Sequence, residues 1–207
     1  LSDYTQVGAK REDRFVGMFY WTWHFRWVND HAPVTTGSVL DTYPEAVNDW
    51  EHPAWNNTYS GYPHFWDEPL YGFYTSTDEY VLRKHAELLA DADIDTVIFD
   101  TTNGTLVFEE SFMKLLEVWS DAREDGVNTP DVMFILNFAG SEDCRAQLTF
   151  LYDNLYSKGL YKDLWFMWEG KPLIMAHPDA LNKKDATDKA ISEFFTFREN
   201  YAAYFGS

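Results

Sequence analysis

A chain of 207 residues, 45% of them hydrophobic, is long enough to bury one sizeable core, and one compact domain is expected. Sixteen basic against 34 acidic side chains give a formal charge of −18, which repels phosphate backbones and anionic lipid and argues against nucleic acid as a partner. The one cysteine, Cys144, excludes an intrachain disulfide and a cysteine-rich metal site, and no run approaches the roughly 18 apolar residues of a membrane span.

Residues 1–14 are polar and charged, ending Lys10-Arg11-Glu12-Asp13-Arg14, and are expected at the surface. From Phe15, the run Val16-Gly17-Met18-Phe19-Tyr20-Trp21 reads as a buried first strand, with Trp21-Thr22-Trp23-His24 at or just past its end. Residues 25–76 keep no sustained period and are punctuated by Pro44, Pro53, Pro63, Pro69, Gly37, Gly61 and Gly72, which predicts a long loop. Loops of that length are uncommon in compact domains and are often functional. Trp21, Trp23, Trp27, Trp50, Trp55 and Trp66 fall in or beside it, with Tyr43, Tyr59, Tyr62, Tyr71 and Tyr74. These rings either give the loop a small core of its own or form a binding surface.

Thr77 and Asp78 offer capping oxygens to a helix reaching Asp91, on which Tyr80, Leu82, His85, Ala86, Leu88 and Leu89 recur at roughly helical spacing. Thr96 to Phe99, short and rich in β-branched residues, then reads as a buried strand ending abruptly in Asp100-Thr101-Thr102-Asn103-Gly104. A helix from about Glu109 to Asp125 follows, closed by Gly126 and Asn128-Thr129-Pro130. Val132 to Leu136 forms a third strand that ends polar at Asn137. Gly140 and Ser141 open a third helix carrying Cys144, Leu148, Leu151, Tyr152 and Leu155. Trp168-Glu169-Gly170-Lys171 reads as a turn into a fourth strand, Lys171 to Ala176, with His177 at its polar end. A last helix, from Asp185 or Asp188, is expected to run through Ile191, Phe194, Phe195 and Phe197.

Strands alternating with helices predict a parallel sheet with right-handed crossovers. Four such units are half of a (β/α)8 barrel. The expected fold is therefore α/β of TIM-barrel type with the first four βα units present, in a single partial domain over residues 1–207 with an aromatic insertion at 25–76. Missing carboxy-terminal residues or self-association of two halves would complete it. The alternative is an open sheet with helices on both faces.

In parallel α/β folds chemistry collects where strands end. Asp100 is the carboxylate placed directly at a predicted strand end, which makes it the candidate catalytic residue; the structural alternative is a cap for the loop that follows. Glu169 contributes if its turn folds toward the cleft and is otherwise plain surface. The histidines, His24, His31, His52, His64, His85 and His177, show no HxH or HExxH spacing, so no metal is expected. His24 and His177 follow strands and could line one mouth, whereas His85 lies on a helix and reads as packing. With no GxGxxG and no Walker loop, no cofactor is expected either. Asn56-Asn57-Thr58 and Asn103-Gly104-Thr105 match the glycosylation sequon by chance.

The Trp-containing first strand and long insertion, Tyr71-Gly72-Phe73-Tyr74-Thr75-Ser76-Thr77-Asp78 before a helix, Ala90-Asp91-Ala92-Asp93-Ile94-Asp95 before a strand, and Gly170-Lys171-Pro172-Leu173-Ile174 resemble a known family. They look like the amino-terminal half of bacterial (β/α)8 glycoside hydrolases of the endo-α-mannosidase and fungal α-1,3-glucanase type, families 99 and 71. The resemblance covers most of residues 15–180 and implies a glycan substrate. In that group the acid and base carboxylates lie on later strands, in a Trp-Asn-Glu or Trp-Asn-Asp segment that this sequence lacks. The expectation is a carbohydrate-active protein, a glycoside hydrolase using carboxylate acid/base chemistry that is not complete in this chain. Asp100 would be catalytic, Trp21, Trp23 and Tyr74 would offer faces for sugar rings, and His24, Asn103, Asn137, Glu169 and His177 would bond hydroxyls. A secreted or periplasmic setting is expected; the start, Leu1-Ser2-Asp3-Tyr4, is not a signal peptide, and a leader removed by cleavage is compatible with it. Two alternatives stand: a non-catalytic carbohydrate-binding or assembly protein on the same scaffold, and an open-sheet α/β enzyme unrelated to sugars.

Overall fold

Runs of apolar residues too short for helices form a mostly parallel sheet in the computed structural model, which describes residues 14–24, 35–56, 65–138 and 141–198. Residues 1–13, Trp27, His31, Tyr59, Tyr62, His64 and Gly140 lie outside the described residues. The strands are β1 (Gly17–Tyr20), β2 (Thr96–Asp100), β3 (Asp131–Ile135), β4 (Met167–Trp168), β5 (Lys171–Met175) and β6 (Thr196–Arg198). Their order is β1-β2-β3-β5, with β6 on β5, and every one of these pairings is parallel; β4 alone runs antiparallel, against β5. The parallel strands thus lie side by side in chain order.

Period two decides which side chains share a face. Val97, Phe99, Val132, Phe134, Leu136 and Ile174 share one, where they are buried together with residues of α3 (Glu79–Asp91), α4 (Glu109–Glu124), α5 (Glu142–Leu151) and α6 (Ala186–Phe194). Trp119 on α4 is fully buried there, and its indole N–H donates to the Leu82 carbonyl of α3 at 3.0 Å. The other face holds fewer buried side chains. Its buried cluster is Met133, Phe166 and Leu173, flanked by Ile98, Trp168 and Met175, and no helical residue joins it. Phe15, Phe19 and Trp21, on that same parity of β1, are 54%, 56% and 57% exposed. Within this unit, α3, α4, α5 and α6 therefore pack on one face of the sheet.

The first strand, expected to be buried, is exposed along β1 because β2 is its sole described neighbour, and two further elements differ from the sequence expectation. The last helix stops at Phe194; Phe195 turns extended, and Thr196–Arg198 adds β6 beside β5. Phe195-Thr196-Phe197, aromatic and β-branched, suits a strand, and the Thr196 hydroxyl anchors it by donating to the Trp168 carbonyl at 2.8 Å. The segment before the fourth predicted strand is itself a strand, β4. It joins β5 through Glu169 (φ 53°) and Gly170 (φ 80°), the positive-φ pair of a tight hairpin turn.

The chain divides into two compact units, residues 1–23 with 76–207, and residues 24–75. The second is not the structureless loop expected. It holds α1 (Thr36–Thr42), opened by a capping box between Thr35 and Ser38, a 3-10 turn at Pro44–Asn48, and α2 (Pro53–Asn56). Helices of four to seven residues are too short to show a period. Trp55 serves this unit's own core, its N–H donating to the carbonyls of Ala46 and Asp49, whereas Trp50 and Trp66 are 82% and 83% exposed. Among the described residues no helix is long and apolar enough to cross a membrane.

Candidate functional site

The parallel register pairs Tyr20 with Phe99 and so sets Trp21 beside Asp100. The Trp21 indole N–H donates to Asp100 Oδ2 at 3.1 Å. Asp100 Oδ1 accepts from the backbone N–H of Thr102 at 3.1 Å and from its hydroxyl at 2.8 Å. This is an Asx turn, and it bends the chain off the end of β2. Asp100 is thus both the loop cap and the carboxylate at the rim. Thr101, fully buried, prolongs the ladder, its N–H and hydroxyl both donating to the Ile135 carbonyl.

Asn137, at the end of β3, donates through its side chain to the carbonyls of Thr102 (3.1 Å) and Gly104 (3.4 Å) and accepts from the Ser141 hydroxyl at 3.2 Å. Sequence reading missed its partner, Gln147 of α5, which donates to the carbonyls of Thr101 (2.6 Å) and Leu106 (3.0 Å) and accepts the Asn137 backbone N–H at 2.8 Å. A signal was present. Cys144, Gln147, Leu148 and Leu151 follow the i, i+3, i+4, i+7 spacing of a buried helix stripe, and Gln147 is the polar member.

Aromatic rings stand next to the carboxylate. Trp21 meets Trp23 edge-on at 6.2 Å, and Trp23 lies parallel to Phe108 at 6.1 Å and 5°. Phe108 caps α4 with φ 58°, an uncommon conformation for a bulky residue. The Thr22 hydroxyl and the Trp23 indole N–H are buried without a hydrogen-bond partner among the described residues.

The other predicted residues divide. Asn103 is exposed in the same rim loop, its carbonyl accepting from Leu106 at 3.4 Å. His177 follows β5 at the same end of the sheet and caps a 3-10 turn, its Nδ1 accepting from the Asp179 N–H at 3.3 Å. Glu169 is not with them. Its hairpin leads into β5, so it stands at the opposite, amino end of the sheet, accepting from Arg198 at 3.4 Å. His24 and Tyr74 belong to the other unit, where their rings meet edge-on at 5.2 Å; burial pushes the His24 imidazole down and the Tyr74 phenol up.

A cleft of about 510 Å³ opens at the amino ends of the strands, lined by Phe15, Ile94, Asp95, Arg123, Asp131 and Phe166 among others. Two of its three carboxylates, those of Asp95 and Asp131 but not that of Asp93, are engaged in structure. Asp95 accepts the Val16 N–H at 2.8 Å, and Asp131 pairs with Arg123 at 2.7 Å, while burial pushes the Asp131 carboxyl up against the pull of that guanidinium. The carboxyl rim, where the aromatic rings and Asp100 meet, is the better candidate. Cys144 is buried and its thiol is pushed up by that burial, which leaves it a poor nucleophile. Among the described residues no group of three or more His, Cys, Asp or Glu is placed to hold a metal ion. Comparison with known proteins finds no matching family model, no significantly similar curated protein and no significantly similar solved structure.

Proposed function

We propose that the rim formed by the ends of β1 and β2 binds a glycan, and that the chain is a carbohydrate-active protein built on the first part of a (β/α)8 barrel. The observation that carries this reading is the half-exposed Trp21 ring joined through its N–H to Asp100. A sugar needs an apolar platform for one face of its ring and fixed acceptors for its hydroxyls, and this pair offers both within one contact. The buried unpaired Thr22 and Trp23 groups and the strained Phe108 gather beside it. Departures from local stability of this kind concentrate at functional sites. The barrel reading draws on strands added in chain order and on α3 to α6 packed against one face, with the other face available to line a barrel interior.

Within this reading Asp100 is the working carboxylate of a glycoside hydrolase. A non-catalytic sugar-binding role is the second reading, and one observation favours it: among the described residues, no second carboxylate hydrogen-bonds into the Asp100, Asn137 and Gln147 network. The test is a panel of glycans and aryl glycosides, scored for binding by tryptophan fluorescence and for hydrolysis. Binding lost in Trp21→Ala supports the site. Hydrolysis then separates the two roles, and a folded protein that binds no glycan on the panel counts against both.

A further inference from the structure

We propose that Gln147 is a positioning residue, which from inside α5 sets the loop that holds Asp100 against Trp21. The proposal deepens the reading of the Asp100 rim as the working site. Gln147 is fully buried, and the neighbours that share its stripe, Cys144, Leu148 and Leu151, are fully buried and apolar. A buried amide is costly unless each of its groups is paired. Here each is: the two N–H groups reach Thr101 and Leu106, and the carbonyl accepts from Asn137.

The three segments it joins are the residue after Asp100, the far end of the rim loop, and the end of β3. Asn137, fixed by Gln147 through its backbone, in turn takes the carbonyls of Thr102 and Gly104. The carbonyls of residues 101, 102, 104 and 106 are all held by these two amides. With those carbonyls turned to the amides, the N–H and hydroxyl of Thr102 face Asp100 Oδ1, and Oδ2 is left to Trp21. A fully satisfied polar network fixes one arrangement where an apolar side chain would tolerate several. Gln147 touches neither Asp100 nor Trp21 in any of these bonds, so its action passes through the loop.

The test reads the Trp21–Asp100 bond without any sugar, so its outcome is independent of whether the rim binds glycan. The Trp21 indole N–H resonance, identified by its loss in Trp21→Phe, is followed by NMR; Asp100→Ala marks its position once the acceptor is gone. Gln147→Leu is expected to move the resonance toward that position by a comparable amount. Leu148→Ala, also in the core of α5, is expected to lower the melting temperature and leave the resonance in place. An unmoved resonance in folded Gln147→Leu, or an equal movement in Leu148→Ala, overturns the proposal. If Gln147→Leu does not fold, Gln147→Met decides: it keeps the length of the side chain and removes its amide, and a resonance that stays put overturns the proposal equally.

Discussion

Asp100 accepts three hydrogen bonds from two neighbours, which fixes its direction before any ligand arrives. Asp100→Asn removes the charge and keeps one acceptor oxygen, which serves Trp21 or Thr102 but not both. If the protein hydrolyses glycans, turnover should fall by about 10²–10⁴-fold with little change in melting temperature, as steady-state kinetics beside thermal unfolding would read. An unchanged turnover would leave Asp100 as a loop cap. Asp188 offers a second, pH-dependent expectation. It is buried on α6, held by Arg145 at 2.8 Å and by the Asn182 N–H at 2.7 Å, and chiefly the Arg145 guanidinium holds its carboxyl below the usual range. A depressed native value means stability that is present above the unfolded value of about 3.9 and lost as the pH falls through the native one. Asp188→Asn should cost about 1–3 kcal/mol at neutral pH and flatten the loss below about pH 4, measured by urea unfolding across a pH series. Asp100 was legible because an apolar run broke off at a carboxylate. Gln147 was not, because a lone glutamine in a helix looks like surface until its place in the stripe is counted.

The β4–β5 hairpin shows how an element can be read correctly and still be assigned to the wrong end. Trp168-Glu169-Gly170-Lys171 is the turn that its residues imply, yet a turn leading into a parallel strand lies at the amino end, away from Asp100. Glu169 carries φ 53° there, a left-handed conformation that costs most residues about 1–2 kcal/mol and asparagine less. Glu169→Asn, giving the Asn-Gly pair such turns favour, should raise stability by about 0.5–1 kcal/mol in urea unfolding and leave glycan binding unchanged. A loss of binding would return Glu169 to the site. The central strands were visible because each is a dense apolar run bounded by polar residues. β6 was hidden, since Phe194, Phe195 and Phe197 satisfy a helical period as readily as an alternating one, and only pairing with β5 decides between them.

For the molecule as a whole, the exposed aromatic row at β1 and the charge act in opposite directions. Phe15, Phe19 and Trp21 form an exposed aromatic row on β1, which pairs only with β2 among the described residues, so an apolar face and an open edge coincide. A net charge of −18 repels a second copy until salt screens it, over about 10 Å at 0.1 M. Self-association in sedimentation should therefore rise with salt and fall in Phe19→Glu; a chain monomeric at every salt concentration would argue against an adhesive face. The insertion between β1 and β2 has one more consequence, in time rather than in space. β1 pairs across 79 positions, from Met18 to Val97, where β2 and β3 pair across 35, from Val97 to Val132. At about 0.6 kcal/mol per doubling of a closed loop, the extra length hardly weakens the finished fold. During synthesis it matters more: at about 5–20 residues per second, β1 waits roughly 4–16 s for the strand it will pair with. Through that interval its aromatic row waits without β2, open to capture by a chaperone.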